Sequence, residues 1–267
     1  MEFKDILVHM DNSPQCGTRL DLAIRIAREN RAYLTGLYVI THPHYAPQGK
    51  VLDRKVQQVK ELFEARTAGT GIESEYLCAD WAVTGDSMAE MLNYYAHPKD
   101  LVIIGQTVQS GDAPADLPER AVLGSGRPVL VVPCAGTFTS VGERVVVAWK
   151  TGRASARAVH DAMPFLSKAQ EVFVVTVTLP GDQLMAETAV NSSILTHLIR
   201  HGIQAREVNL EIGTIPVDNV LMNFAWEHGC DLLVMGVYAR TVRGSLTVGP
   251  VARLFFEQMT LPVLMSS

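Results

Sequence analysis

The chain has 267 residues, 48% of them hydrophobic and 19% charged, so it can bury a sizeable core and has the length of one large or two ordinary domains. A formal net charge of -5 argues against a nucleic-acid binder working through bulk charge and leaves small anions or proteins as partners. The cysteines Cys16, Cys78, Cys134 and Cys230 lie far apart without CxxC spacing, the N-terminus MEFKDILVHMD lacks an apolar signal core, and no apolar run reaches membrane length; a soluble, cytoplasmic protein without a disulfide framework is expected.

Residues 5–9 (DILVH) form a short apolar run, and residues 14–30 follow with Leu20, Leu22, Ala23, Ile24, Ile26 and Ala27 on one helical stripe. A second strand is expected over 32–40, a Pro-rich connection over 41–49, and a polar-faced helix over 51–68 with Val56, Val59, Leu62 and Phe63 inward. A strand over 72–78, a helix over 87–96, and strands over 101–104 and 129–132 complete the half. Unbroken apolar strands alternating with helices predict a parallel sheet covered on both faces. Residues 134–143 (CAGTFTSVGE) are small, polar and Gly-containing, and they read as an interdomain link.

The second half then gives strands over 144–149, 172–177, 205–210, 232–235 and 262–265. Helices are expected over 155–166, 183–201 and 217–228 and from Pro250, with a Gly-bounded basic loop over 236–249. DLLVMG (231–236) and LPVLMSS (261–267) stand where DLVIIG (100–105) and RPVLVVP (127–133) stand earlier, so the chain is a tandem repeat. The predicted domains are 1–136 and 141–267. Each reads as a flavodoxin-like three-layer α/β/α fold around a five-stranded, mostly parallel sheet, with ligands at the carboxyl ends of the strands.

The 236–249 loop leaves a buried strand and delivers the chain to a helix N-terminus, where unpaired N–H groups meet a positive dipole end and Arg240 and Arg243 add charge. That outlines an anion site. On these residues the chain resembles the universal stress protein family in its tandem two-domain form, over essentially its whole length. Members that bind ATP carry G-x2-G-x9-G-[ST] after strand four, and an Asp after strand one that meets base and ribose. Here Gly236 opens the frame, Ala239 stands for its second Gly, Gly249 closes it, Pro250 replaces Ser or Thr, and Lys150 falls where the Asp would sit.

The resemblance implies a nucleotide or anion site made by Trp149, Lys150, Val177, Met235, Gly236, Ala239, Arg240, Arg243, Gly249, Pro250 and Val251. Pro250 removes a hydroxyl and one N–H, Ala239 carries a penalty wherever φ is positive, and Lys150 trades a hydroxyl acceptor for attraction to phosphate or carboxylate. In the first half Met10, Asp11, Val39 and Gly105 mark the corresponding positions. The segment after Gly105 has no G-x2-G, and Asp112 and Asp116 there repel a triphosphate. That site is expected to be degenerate, filled by its own loop or by a small uncharged molecule.

His42, His44 and Tyr45 form an H-x-H group without a nearby acidic or cysteine partner and read as a solvated loop; no metal is expected beyond Mg accompanying a nucleotide. Neither G-x-S-x-G, nor G-x-G-x-x-G after strand one, nor G-x-x-x-x-G-K-[ST] is present. Trp81, Trp149 and Trp226 read as packing, with Trp149 beside Lys150 able to wall a pocket. The function implied is a non-catalytic stress-response protein binding ATP or another adenine nucleotide, or another small anion, in its second domain. An interaction scaffold with vestigial pockets is the alternative, ahead of a slow ATPase. A homodimer with an unspecified regulatory partner is implied, without membrane or nucleic acid, and with the two halves packed through their fifth strands.

Overall fold

The computed structural model describes residues 2–40, 50–80, 87–106, 113–178, 194–213, 215–242 and 245–267. His42, His44, Tyr45, Trp81, Asp112 and Arg243 lie outside them. The chain divides into two compact units, Glu2–Thr137 and Phe138–Ser267.

In the first unit β1 (Asp5–Met10), α1 (Cys16–Asn30), β2 (Tyr33–Ile40), α2 (Lys50–Thr67) and β3 (Ser74–Asp80) are followed by α3 (Met88–Ala96), β4 (Leu101–Gly105), α4 (Leu117–Gly124) and β5 (Val129–Val132). The strands pair in parallel in the order β3-β2-β1-β4-β5. The chain moves one way through β1, β2 and β3, then crosses back to β4 and β5. Right-handed crossovers therefore put α1 and α2 on one face and α3 and α4 on the other, and the contacts pair them so. β4 and β5 are covered on both faces, with Leu101–Ile104 and Val129–Val132 buried throughout, which is why their sequences do not alternate.

The second unit repeats the plan with β6 (Arg144–Ala148), α5 (Arg153–Leu166), β7 (Glu171–Thr178), α6, described over residues 194–200, and β8 (Ala205–Glu211). Then come α7 (Val217–Glu227), β9 (Leu232–Gly236), β10 (Ala239–Val242), β11 (Ser245–Val248), α8 (Pro250–Gln258) and β12 (Val263–Ser266). Its parallel order is β8-β7-β6-β9-β12. Both units are thus doubly wound α/β sandwiches whose strand direction of travel switches beside the first strand.

The repeated Asp of DLVIIG and DLLVMG has a structural cause. Asp100 accepts from the backbone N–H of Lys4 at 2.7 Å and of Asp5 at 3.0 Å; Asp231 accepts from Gly142 at 3.0 Å, Glu143 at 3.2 Å and Arg144 at 3.0 Å. Each carboxylate ties down the entry to the first strand of its own unit, satisfying donors that the sheet leaves unpaired.

Two expectations change. The 236–249 segment is not a plain loop: β10 and β11 pair antiparallel, with Ala239 opposite Val248 and Thr241 opposite Leu246. The β-branched residues of ARTV and SLTV, separated by two residues that include a Gly, carry a hairpin signal that outweighs the basic side chains. Trp226 is not packing either, being 82% exposed on α7. That helix buries Leu221, Phe224 and Ala225, and the next residue turns about 100° away from Ala225 and off the stripe. No described helix is long and apolar enough to cross a membrane.

Candidate functional site

Sheet register aligns the two switch points. Ile6 pairs with Leu101 and Val145 with Leu232, so Met10 corresponds to Trp149 and Asp11 to Lys150 as the chain leaves β1 and β6. In the second unit a pocket of about 380 Å³ opens there. Ala148, Trp149 and Lys150 form its floor and lip, Val175 and Val177 of β7 one wall, and Val217 and Leu221 of α7 another. Met235 and Gly236 end β9 and Tyr238 follows it, and Gly249, Pro250, Val251 and Ala252 close the pocket from the start of α8, with Ser155 reaching in from α5.

Two helix N-termini converge on this space. α5 begins after Gly152 and α8 after Gly249, and neither glycine can cap with a side chain, nor is either first turn acidic. The early N–H groups of both helices are left for solvent or a ligand. Lys150 is exposed at the mouth, adding a cation to the two positive dipole ends. Gly236 is the residue that lets them meet: a Cβ there would overlap backbone atoms of Ala154 and Ser155, so α5 lies directly against the end of β9.

The first unit fills the equivalent place differently. Arg19 of α1 is 2% exposed; its Nε donates to the His9 carbonyl at 2.8 Å and its guanidinium pairs with Asp11 at 2.9 Å. A Cβ on Gly105 would run into the same guanidinium, so Arg19 spans the crevice from the end of β1 to the end of β4. Asp11 also accepts from the Ser13 N–H at 2.9 Å and hydroxyl at 2.5 Å. Burial pushes its carboxyl up, but Arg19 and the Ser13 bonds prevail and hold it below the ordinary carboxylate range. Met10 and Val39 are buried beside it in the sheet. An arginine near the start of α1 can reach back over the strand ends that the helix follows, so a helix side chain occupies the crevice. Residues 107–112 of the loop expected to fill it lie outside the described residues.

His9 shares this buried cluster, with Nδ1 3.9 Å from Asp11 and Nε2 buried without a hydrogen bond. Burial, then Arg19, push it down to about 4, against a smaller opposing pull from Asp11. In the unfolded chain it titrates near 6.5. Between those values the unfolded state binds a proton that the folded state refuses, so stability falls as pH drops from about 6.5 toward 4, by roughly 3 kcal/mol in total. Urea midpoints measured from pH 7 to 4.5 should show this slope, and His9→Gln should flatten it; equal slopes in the two proteins would remove His9 as the cause.

No family model matches the chain, and no curated protein does. Solved structures do. A universal stress protein from Archaeoglobus fulgidus DSM 4304 superposes with a TM-score of 0.72 at 15% identity, covering 98% of this chain and 98% of that one. A functionally unknown protein from Pseudomonas aeruginosa PAO1 gives 0.64 at 16% identity, covering 99% and 92%. The chain has the fold of a tandem universal stress protein. At these identities the likeness concerns architecture, and the site has to be judged on its own residues.

Measured against the universal stress protein frame quoted above, Trp149, Lys150, Val177, Met235, Gly236, Gly249, Pro250 and Val251 line the pocket. Ala239 and Arg240 do not; they stand in the β10 ladder, with Arg240 exposed, and Arg243 is outside the described residues. The penalty expected of Ala239 does not arise, since among the described residues Arg31 is the non-Gly residue with positive φ. Sequence reasoning missed Ser155, Val217 and Leu221, which come from α5 and α7, Tyr238, which lies within the 236–249 segment itself, and Arg19. A cation at an inward position of α1, in line with Leu22, Ala23 and Ile26, was the available signal for Arg19.

Proposed function

We propose that the chain is a non-catalytic, ligand-responsive protein of the stress-response type, cytoplasmic and homodimeric, whose second unit holds one small organic anion. The observation that carries this reading is the convergence of two uncapped helix N-termini and Lys150 on an apolar pocket. Adenine nucleotides are the class that the family resemblance brings forward, with any Mg arriving on the nucleotide. The first unit takes no ligand, because Arg19 occupies its crevice and the α4 N-terminus carries Asp116 and Glu119 where α8 has no acid.

Calorimetric titration of the full chain with AMP tests this. One equivalent should bind, and Lys150→Asp should weaken it about tenfold, the loss of one charged hydrogen bond. Two equivalents, or binding untouched by that substitution, would count against the assignment. The scaffold reading has its own support in the second unit, where Trp226, Tyr238 at 74% and Leu246 at 64% exposure offer apolar surface to a partner. On that reading AMP produces no heat and a partner is recovered whose binding depends on Trp226.

A further inference from the structure

Resting on the anion-receptor reading of the second-unit pocket, we infer that its ligand is a sugar-free amphipathic anion: an aromatic or branched apolar body ending in a single carboxylate or phosphate monoester, in preference to a nucleotide. The pocket is rich in donors and poor in acceptors. Its donors are the Lys150 ammonium and the free N–H groups at the starts of α5 and α8. Among the described residues no Asp, Glu, Asn or Gln lines it; Ser155 and the exposed Tyr238 supply the side-chain hydroxyls. Two of the backbone acceptors there are already engaged, the Val175 carbonyl by the Trp149 N–H at 2.8 Å and the Tyr238 carbonyl by the Gly249 N–H at 2.9 Å.

A carboxylate or phosphate presents acceptors alone and matches that inventory. A ribose diol and an exocyclic amine must each donate, and a donor buried without an acceptor forfeits its hydration. The sheet register sharpens the contrast. At the position after the first strand the first unit has Asp11, an acceptor; the second has Lys150, which can only donate. The remaining lining, Trp149, Val175, Val177, Leu221, Met235 and Pro250, suits a ring or branched chain.

The test compares 1-naphthyl phosphate, AMP and 1-naphthol on the full chain at one pH and salt concentration. The first two share a phosphate monoester and differ in body; the first and third share a body and differ in charge. Naphthyl phosphate should bind as one equivalent, at least tenfold tighter than AMP and tenfold tighter than naphthol. Lys150→Asp, on an exposed side chain that the fold does not need, should weaken naphthyl phosphate at least tenfold and leave naphthol unchanged. AMP binding as tightly as naphthyl phosphate, with both lost in Lys150→Asp, overturns the sugar-free ligand and leaves the anion receptor standing. Naphthol binding as tightly as its phosphate, or no probe binding at all, overturns both.

Discussion

Arg19→Met should destabilise the chain by about 3–5 kcal/mol, read as a lower urea midpoint at unchanged slope. The substitution keeps most of the side-chain length, so little of the loss comes from a cavity; what it removes is the charge between β1 and β4. Asp11 would then keep a carboxylate that is 15% exposed with no cation beside it, and the His9 carbonyl would lose its 2.8 Å donor. A buried charge stripped of its partner costs far more than an exposed one. The pair Arg66–Asp21 supplies the comparison, since its two side chains are 46% and 51% exposed, and breaking it should cost under about 1 kcal/mol. His9 would move up toward its ordinary value without the Arg19 charge, so the His9-linked loss of stability on acidification should shrink. Gly105→Ala adds a second reading: its Cβ meets the Arg19 guanidinium, so its cost should shrink in an Arg19→Ala background by about 1 kcal/mol or more. Additive losses, or an Arg19→Met effect no larger than that of Arg66→Met, would show that Arg19 does not plug the crevice.

The fold was legible where one physical rule acted alone. LVII and VLVV read as strands because both faces of a parallel sheet are buried, and the Asp that opens DLVIIG and DLLVMG marked the repeat because the same backbone donors need it twice. The hairpin was missed where two rules competed: Arg240 drew the reading toward a charged loop, while the β-branched residues on either side decided the structure. Trp226 shows the limit of composition, since an aromatic residue is inside only if its helical phase puts it there. At the site the strand-end positions Lys150, Gly236 and Gly249 were legible through the motif of the family that the chain resembles. Ser155 and Leu221 were not, because they belong to α5 and α7 and reach the pocket through packing that no local pattern encodes. Arg19 and Asp11 are near in sequence, yet their pairing depends on how α1 is set over the end of β1, which is a tertiary fact.

Gly236→Ala should destabilise by about 3 kcal/mol and weaken ligand binding at the second-unit pocket by tenfold or more. The added Cβ would overlap the Ala154 carbonyl group and the Ser155 nitrogen, and these are backbone atoms that cannot rotate aside as the end of a side chain can. Relief requires the start of α5 to lift from β9. That movement also shifts Ser155 and the first N–H groups of α5, which form one of the two positive ends facing the pocket. Stability and binding should therefore fall together. Gly249→Ala makes the control: its Cβ would sit 3.6 Å from the Tyr238 carbonyl oxygen, an ordinary contact, so the loss should stay near the 1 kcal/mol that alanine costs at a helix N-cap. Both residues line the same pocket, and they differ in whether backbone lies against them. Urea unfolding of the two variants, with 1-naphthyl phosphate titrated into each, separates the effects. Equal losses would mean that Gly236 serves chain flexibility and that the close approach of α5 to β9 is not what shapes the site.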